Sequence, residues 1–364
     1  MSDHLTEKYQ QQLDEKTSKV RKLLSSFYSS DINIYASQPT HFRMRAEFRI
    51  WHEGADTYHI MFNKVDKEQY RVDQLEAASE IINTAMTLMT DAFKGNEILR
   101  RKLFQVDYLS TLTDKLLITL VYHKALDDTW EAEVNRLKAS FPNHLDISFI
   151  GRSKKQKVML DHDFVIEELP INNKIYQFKQ IENSFTQPNA RVNCNMIEWS
   201  MAQVRDQSRD LLELYCGSGN FSVPLASCFK NVLATEISKT SVNAAQFNIA
   251  TNNIDNLAIV RLSSEEFVEA MAGARKFRRL QEVDLTAYDF STVLVDPPRA
   301  GIDDKTIALI QQFDNIIYIS CNPLTLADNL QTLCLTHEIK SAAVFDQFPF
   351  TEHIESGVYL ERKL

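Results

Sequence analysis

The sequence predicts an α/β protein in two parts. An α+β domain with antiparallel strands is expected over residues 1–180, and a doubly wound, mostly parallel sheet over residues 181–364. Three observations carry this. Before residue 180 the strand-like runs alternate apolar and polar residues and lack a glycine-rich loop. After Asp210 buried-strand runs alternate with helical stretches. The first of those runs ends in a tight turn, Cys216-Gly-Ser-Gly-Asn220.

Length and composition fit that division. A chain of 364 residues with 44% hydrophobic content can fill two cores. The net charge of −9 argues against a general polyanion binder. Residues 1–180 carry 25 Lys and Arg against 26 Asp and Glu, and residues 181–364 carry 15 against 23. A nucleic-acid contact is therefore expected in the first part, through a local patch. The five cysteines form no CxxC pair and no Cys/His spacing of a metal site, so no metal is expected. Met1 is followed by polar and charged residues, and no apolar run approaches a membrane span. A soluble, cytoplasmic protein without a membrane partner is the expectation, and a monomer.

The elements follow in order. Residues 5–30 read as an amphipathic helix, with Leu5, Tyr9, Leu13, Val20, Leu23 and Leu24 at helical spacing. Residues 32–38 and 42–51 read as extended. In the second run Arg43, Arg45, Glu47 and Arg49 share one face, and Phe42, Met44, Ala46, Phe48 and Ile50 the other. Three arginines on one strand face can grip phosphates, or form a solvated face with Glu47 as internal partner. Further strands are expected at 58–62 and 70–72, and helices at 74–93 and 96–104. Residues 104–112 and 116–122 form a hairpin around Thr113-Asp114, and 127–141 form another helix. Arg152, Lys154, Lys155 and Lys157 make a basic turn, open to phosphate contact or simply wet.

A helix near 195–205 leads into the second part. Strands are expected at 211–215, 232–235, 258–260, 292–295 and 316–319, and a last one at 358–360. Helices are expected at 221–226, 241–250 and 305–313, with another starting at Pro323, which suits a first helical position.

A strand, a Gly-x-Gly turn, and an acid 21 residues beyond Tyr215 form a nucleoside-binding arrangement. Gly217 and Gly219 let the backbone approach a ligand. Glu236 can accept both ribose hydroxyls. A dinucleotide fingerprint would place a third glycine where Ser222 stands, so S-adenosylmethionine is favoured over NAD. Asp296-Pro-Pro-Arg299 is a rigid, extended strand end. Amino-methylating enzymes have an aromatic where Arg299 stands. An arginine there fits a carbonyl-rich base such as uracil.

Cys321 lies in the turn between a strand and the helix beginning at Pro323, where a helix N-terminus favours thiolate. Against this, free cysteines are mostly small buried hydrophobes. A pyrimidine C5 is a poor nucleophile, and methylating it requires such a thiolate. Addition to C6 makes C5 electron-rich, and a base must then remove the C5 proton. His353 and Glu355 are the candidates for that base, or else part of a surface turn.

Leu212-Glu-Leu-Tyr-Cys-Gly-Ser-Gly-Asn-Phe-Ser222, Val295-Asp-Pro-Pro-Arg-Ala-Gly301, Ser320-Cys-Asn-Pro323 and Asp346-Gln-Phe-Pro349 with His353 and Glu355-Ser-Gly357 together resemble the RNA uracil-5 methyltransferases. Arg43 to His52, Lys102 to Tyr108 and Glu182 to Asn189 extend the resemblance nearly end to end, toward the bacterial tRNA-modifying branch. It implies a Rossmann-like class I methyltransferase domain after residue 181, preceded by an RNA-binding domain. It implies Cys321 as nucleophile and Glu355 as proton acceptor. It implies cofactor contacts at Gln187, Tyr215, Asn220, Glu236 and Asp296, and a target base meeting Phe104 and Arg299. With that function, Arg43, Arg45 and Arg49 become candidate phosphate contacts. The implied substrate is the T-arm of tRNA, with ribothymidine formed at nucleotide position 54, and a similar loop in tmRNA. Ribosomal-RNA relatives often add a small N-terminal barrel and a four-cysteine iron–sulfur cluster, which this sequence lacks. A ribosomal-RNA uridine enzyme and a non-catalytic tRNA-folding module are the alternatives.

Overall fold

The strand and helix periods are realised as two sheets with their helices. A computed structural model describes residues 2–63, 65–275 and 277–364, with side chains from residue 5 onward. Two units result. One comprises Met1–Pro39, Leu169–Phe178 and Arg191–Leu364, and the other Thr40–Glu168 and Lys179–Ala190.

The chain opens with α1 (Ser2–Leu24) and β1 (Asn33–Tyr35). The middle unit follows with β2 (Arg45–Glu53), β3 (Asp56–Phe62), β4 (Gln69–Arg71), α2 (Glu80–Phe93), α3 (Glu97–Arg100), β5 (Leu103–Ser110) and β6 (Lys115–Tyr122). It ends with α4 (Asp128–Ser140), β7 (Asp146–Ser153) and β8 (Gln156–Met159). Its seven strands run in the order β4-β3-β2-β5-β6-β7-β8. All neighbours are antiparallel except β6 and β7, which α4 joins as a parallel pair. Alternation in β2 works as the sequence implies: Ala46, Phe48 and Ile50 are buried in a core with α2 and α4, while Arg45, Glu47 and Arg49 stay on the other face. Asp127 caps α4 by accepting the Trp130 N–H at 2.9 Å. The β5–β6 hairpin turns through Asp114 at φ 59°.

A ribbon of β9 (Phe164–Ile171) and β10 (Lys174–Ile181) leads to α5 (Ala190–Ala202). Then come β11 (Asp210–Leu214), α6 (Ser222–Leu225), β12 (Val232–Thr235), α7 (Lys239–Thr251), β13 (Leu257–Val260) and α8 (Ser264–Met271). The chain closes with β14 (Phe290–Val295), α9 (Asp304–Ile310), β15 (Asn315–Ser320), α10 (Pro323–Leu333), β16 (His337–Phe345) and β17 (Glu355–Arg362). These strands form an eight-stranded sheet in the order β1-β16-β17-β15-β14-β11-β12-β13. Only β17 runs antiparallel to its neighbours. The order reverses between β11 and β14, which is where open α/β sheets bind ligands. Among the described residues no helix is long and apolar enough to cross a membrane.

One cut near residue 180 does not describe this division. β1 pairs in parallel with β16, and Val20, Leu24 and Ile32 pack into the same core as Leu326, Leu330 and Val344. Residues 1–39 therefore belong to the later unit. Such pairing joins segments 310 residues apart in sequence, as in Asn33 with Ala343, and leaves no local signature. Helix α1 also ends at Leu24 instead of running to 30, and α2 starts at Glu80, after a turn over 74–79. Strands β7, β8, β9, β10 and β16 and helix α8 had no expectation of their own, and the stretch read as a basic turn is the end of β7, a tight turn at Lys154-Lys155 and the start of β8.

Candidate active site

The C-terminal edge of β11 gathers the first group of side chains. Past Leu214 the backbone turns through Tyr215 at φ 63°, Gly217 at φ 56° and Gly219 at φ 82°. A Cβ at Gly217 would meet nothing within 4 Å, so the left-handed backbone alone calls for glycine there. Glu236, just past β12, pins the turn. Its two carboxylate oxygens accept the Gly217 N–H at 3.0 Å and the Ser238 N–H at 2.7 Å. Each oxygen keeps a further lone pair, enough for a pair of ribose hydroxyls. Asn220 and Asn193 of α5 exchange amide hydrogen bonds at 2.8 and 2.9 Å, which fixes the Asn220 side chain. The Tyr215 hydroxyl donates to Ser264 at 2.7 Å, at the start of α8. Beneath the turn, Glu213 is fully buried and hydrogen-bonded to Ser222. Burial lifts its carboxyl to about 8.

The second group stands at the ends of β14, β15 and β17. The β15–β17 ladder closes with Ser320 opposite Ser356. Carried one residue further, the register sets Cys321 beside Glu355, both on one side of the sheet. Asp296 follows Val295, which pairs with Tyr318 of β15. Electrostatics agree with this proximity. Burial first, then the charges of Glu355 and Asp296, push the Cys321 thiol up to about 11, while the Arg299 guanidinium pulls it down. Burial and the charge of Asp296 raise Glu355 to about 8. Burial alone raises Asp296 to about 7. Among the described residues no donor reaches either carboxylate. Asn322 caps α10, and its amide also donates to the Arg299 carbonyl at 3.2 Å, tying the Asp296–Arg299 strand end to the cysteine turn.

His353 sits in the loop before β17, its ring 5.7 Å from that of Phe348. Gln187 and Phe104 belong to the other unit, as do Arg43, Arg45 and Arg49. There the Arg49 guanidinium lies over the Phe104 ring, 3.8 Å from its centroid, and His123 packs on the same ring at 4.2 Å. Arg45 pairs with Glu47 at 3.0 Å and donates to the Ser184 carbonyl at 2.9 Å. Arg43 donates to the Arg45 carbonyl at 2.7 Å. Arg152 of β7 and Lys157 of β8 are bound to Glu182 and Asp163, and Lys154 and Lys155, in the turn between the strands, are exposed.

Comparison with known proteins settles the family. The model of the tRNA (uracil-5-)-methyltransferases matches residues 8–363. The chain belongs to that family. It is similar to the tRNA/tmRNA (uracil-C(5))-methyltransferase of Pseudoalteromonas atlantica, with 54% identity over 98% of this chain and 97% of that one. The Actinobacillus succinogenes protein of the same name is 53% identical over 98% of each chain. Among solved structures, the Pyrococcus abyssi tRNA (uracil-54, C5)-methyltransferase in complex with S-adenosyl-L-homocysteine shares the fold. Its TM-score is 0.71 at 20% identity, covering 97% of this chain and 83% of that one.

As a family member the chain is an S-adenosylmethionine-dependent methyltransferase with a class I fold. Its site fits that cofactor. A Cβ at Gly217 would meet nothing, Glu236 keeps lone pairs that can accept hydroxyls, and the bare Asp296 carboxylate suits a cationic centre. Sequence reasoning missed Asn193, Ser264 and Glu213. Asn193 and Ser264 act through partners distant in the chain. Glu213 stood within the quoted motif, and an acid inside an apolar strand run was a signal that could have found it.

Proposed function

We propose that this methyltransferase converts the uridine at position 54 of the tRNA T-loop to 5-methyluridine, with Cys321 as nucleophile and Glu355 as proton acceptor. The observation that carries this is the bare, buried Glu355 carboxylate beside the Cys321 thiol on one sheet edge. A heteroatom methylase has no use for that pair.

S-adenosylmethionine supplies a methyl group activated by a positively charged sulfur. The chain does the rest. Cys321 gives its proton to solvent water, to be regained after release, and its thiolate adds to C6 of the uracil. The C5–C6 electron pair moves toward O4, giving an enolate whose oxygen Arg299 can hold. C5 then takes the methyl group. Glu355 accepts the C5 proton, the C5–H electrons restore the C5–C6 double bond, and the C6–S bond breaks to return the thiolate. A carboxyl raised to about 8 is mostly protonated near neutral pH in the free protein. Glu355 must therefore first be ionised, which the cationic cofactor favours, and as a carboxylate it is then a stronger base than an ordinary one. In the free protein Cys321, pushed up to about 11, is a thiol. Arg299 favours the thiolate, so the nucleophile is armed as the target base and the cationic cofactor seat.

Gln187, Tyr215, Asn220, Glu236 and Asp296 are proposed to hold the cofactor. Phe104 is proposed to meet the target loop, whose uridine must leave its stack at a cost of a few kcal/mol. Arg43, Arg45 and Arg49 are proposed to meet RNA. The two relatives are named for tRNA and tmRNA, so the equivalent tmRNA uridine is a proposed second substrate. Nucleoside analysis of unmodified tRNA after incubation with protein and cofactor tests the reading. Expected is 5-methyluridine at position 54, together with a denaturant-stable RNA adduct in Glu355→Gln and none in Cys321→Ala. Product on ribosomal RNA but not tRNA would move the enzyme to the ribosomal class. An adduct persisting in Cys321→Ala would remove the nucleophile assignment.

A further inference from the structure

The loop that leads to Glu355 is gripped from outside by the N-terminal helix. Phe345, at the end of β16, pairs with Glu355, at the start of β17. Residues 346–354 therefore leave from and return to the same rung of the ladder. Lys16 of α1 donates to the Asp346 carboxylate at 2.8 Å and to the Phe348 carbonyl at 2.9 Å. Tyr9, one helical face along, sets its ring edge-on to Phe350 with centroids 5.8 Å apart. Gln12 accepts the Phe350 N–H. From the other side the Asp346 N–H donates to the Tyr35 carbonyl of β1 at 3.0 Å.

Lys16 and Asp346 are 6% and 0% exposed. A buried ion pair contributes little net stability, because desolvating both charges offsets their attraction. What it does supply is geometry. Lys16 spans two loop residues with charge-assisted bonds, and burial forbids water from replacing either. The site it braces is the one where a small error matters most, since Glu355 has no hydrogen bond of its own to aim it.

We propose that Lys16 is a positioning residue: through Asp346 and Phe348 it holds the 346–354 loop so that Glu355 reaches the C5 proton. This rests on the reading of Glu355 as proton acceptor. The step affected is the last one, in which Glu355 takes the proton, the C5–C6 double bond re-forms and the Cys321 sulfur leaves. Addition and methyl transfer use Cys321, in the turn just past β15, which Lys16 does not touch.

The test uses the full-length protein with unmodified tRNA and S-adenosylmethionine. It measures 5-methyluridine released and protein trapped as a denaturant-stable adduct. Lys16→Met is expected to lower turnover by about tenfold or more while the first methyl transfer stays near the wild-type rate, so that methylated adduct accumulates. Lys16→Met with Asp346→Asn leaves no unpaired buried charge. It is expected to fold and to trap adduct in the same way, and it carries the test where Lys16→Met alone does not fold. Glu355→Gln is the reference. If Glu355→Gln traps adduct and the folded Lys16 variants do not, the brace is structural only and the proposal falls. If Glu355→Gln itself traps none, the assignment of the base falls and takes the brace with it.

Discussion

The acids of the candidate site edge and the arginines of the middle unit are held in opposite ways. Asp296 and Glu355 have no donor among the described residues, and their carboxyls are lifted to about 7 and about 8. Arg45, Arg152 and Lys157 already have carboxylate partners, and Arg43 is tied to a backbone carbonyl. A group left bare inside a fold is unstable in its charged form and stands ready for a ligand. A group paired on a sheet face has its geometry fixed, and it meets RNA only by sharing itself. Arg49 is the exception in its unit: its guanidinium is stacked on Phe104, and its Nη1 is buried with no partner.

The largest effect should come from the bare edge. Cys321→Ala is expected to abolish turnover to the limit of detection, because Cys216, the other described thiol in the strand-end turns, is buried within the glycine turn after β11. Methylation of a tRNA transcript with labelled cofactor measures this. Turnover within tenfold of wild type would mean that C5 is activated without the thiolate.

A step down in size is Glu236→Gln. The amide still accepts from one side, but one of its positions becomes a donor facing the Gly217 or Ser238 N–H. Hydrogen bonds to a charged group are worth about 1.5–3 kcal/mol each. The cofactor dissociation constant, read by calorimetry, is expected to rise by roughly 10- to 100-fold, with tRNA affinity unchanged. Loss of both together would show that Glu236 holds the fold and not the ribose.

Smaller again is the effect of charge removal in the middle unit. Arg49→Ala is expected to weaken tRNA binding several-fold and, if the guanidinium neutralises one phosphate, to reduce the log–log salt slope by about 0.7–0.9. Arg45→Ala should do less, since Glu47 already compensates that charge. Filter binding over a salt series separates them. Equal losses would erase the distinction between bare and paired groups.

The two regions also differed in how far the sequence revealed them. The glycine turn, Glu236, Asp296 and Cys321 sit just past strand ends, where a run of apolar residues stops, and this is a local event. Glu355 opens β17, and the residues alone left it level with His353 until the family resemblance singled it out. The antiparallel face of Arg45, Glu47 and Arg49 was equally plain from a period of two. What stayed hidden was pairing across long stretches of chain. The pairing of β1 with β16 and the Lys16–Asp346 contact join residues about 300 positions apart, and Lys16 reads in sequence as an ordinary helix-surface charge. Asn193 reads as one more polar residue on α5 until Asn220 meets it.

The last effect, and the one that isolates the cost of leaving acids bare, is on stability. Glu213, Asp296 and Glu355 are raised to about 8, about 7 and about 8, all in one unit. Unfolded, each would titrate near 4. Between those limits the folded chain binds more protons than the unfolded one, so stability is fullest below about pH 4 for these groups and is lost as pH rises through their folded values. The cofactor-free melting temperature of this unit should therefore decline from about pH 5 to about pH 8.5. Glu355→Gln removes one of the three titrations and should make that decline shallower, by more than Glu47→Gln does on the exposed face of the other unit. A decline that Glu355→Gln leaves unchanged would mean that the Glu355 carboxyl finds water or a partner in solution, and that the candidate site edge is no barer than the arginine face.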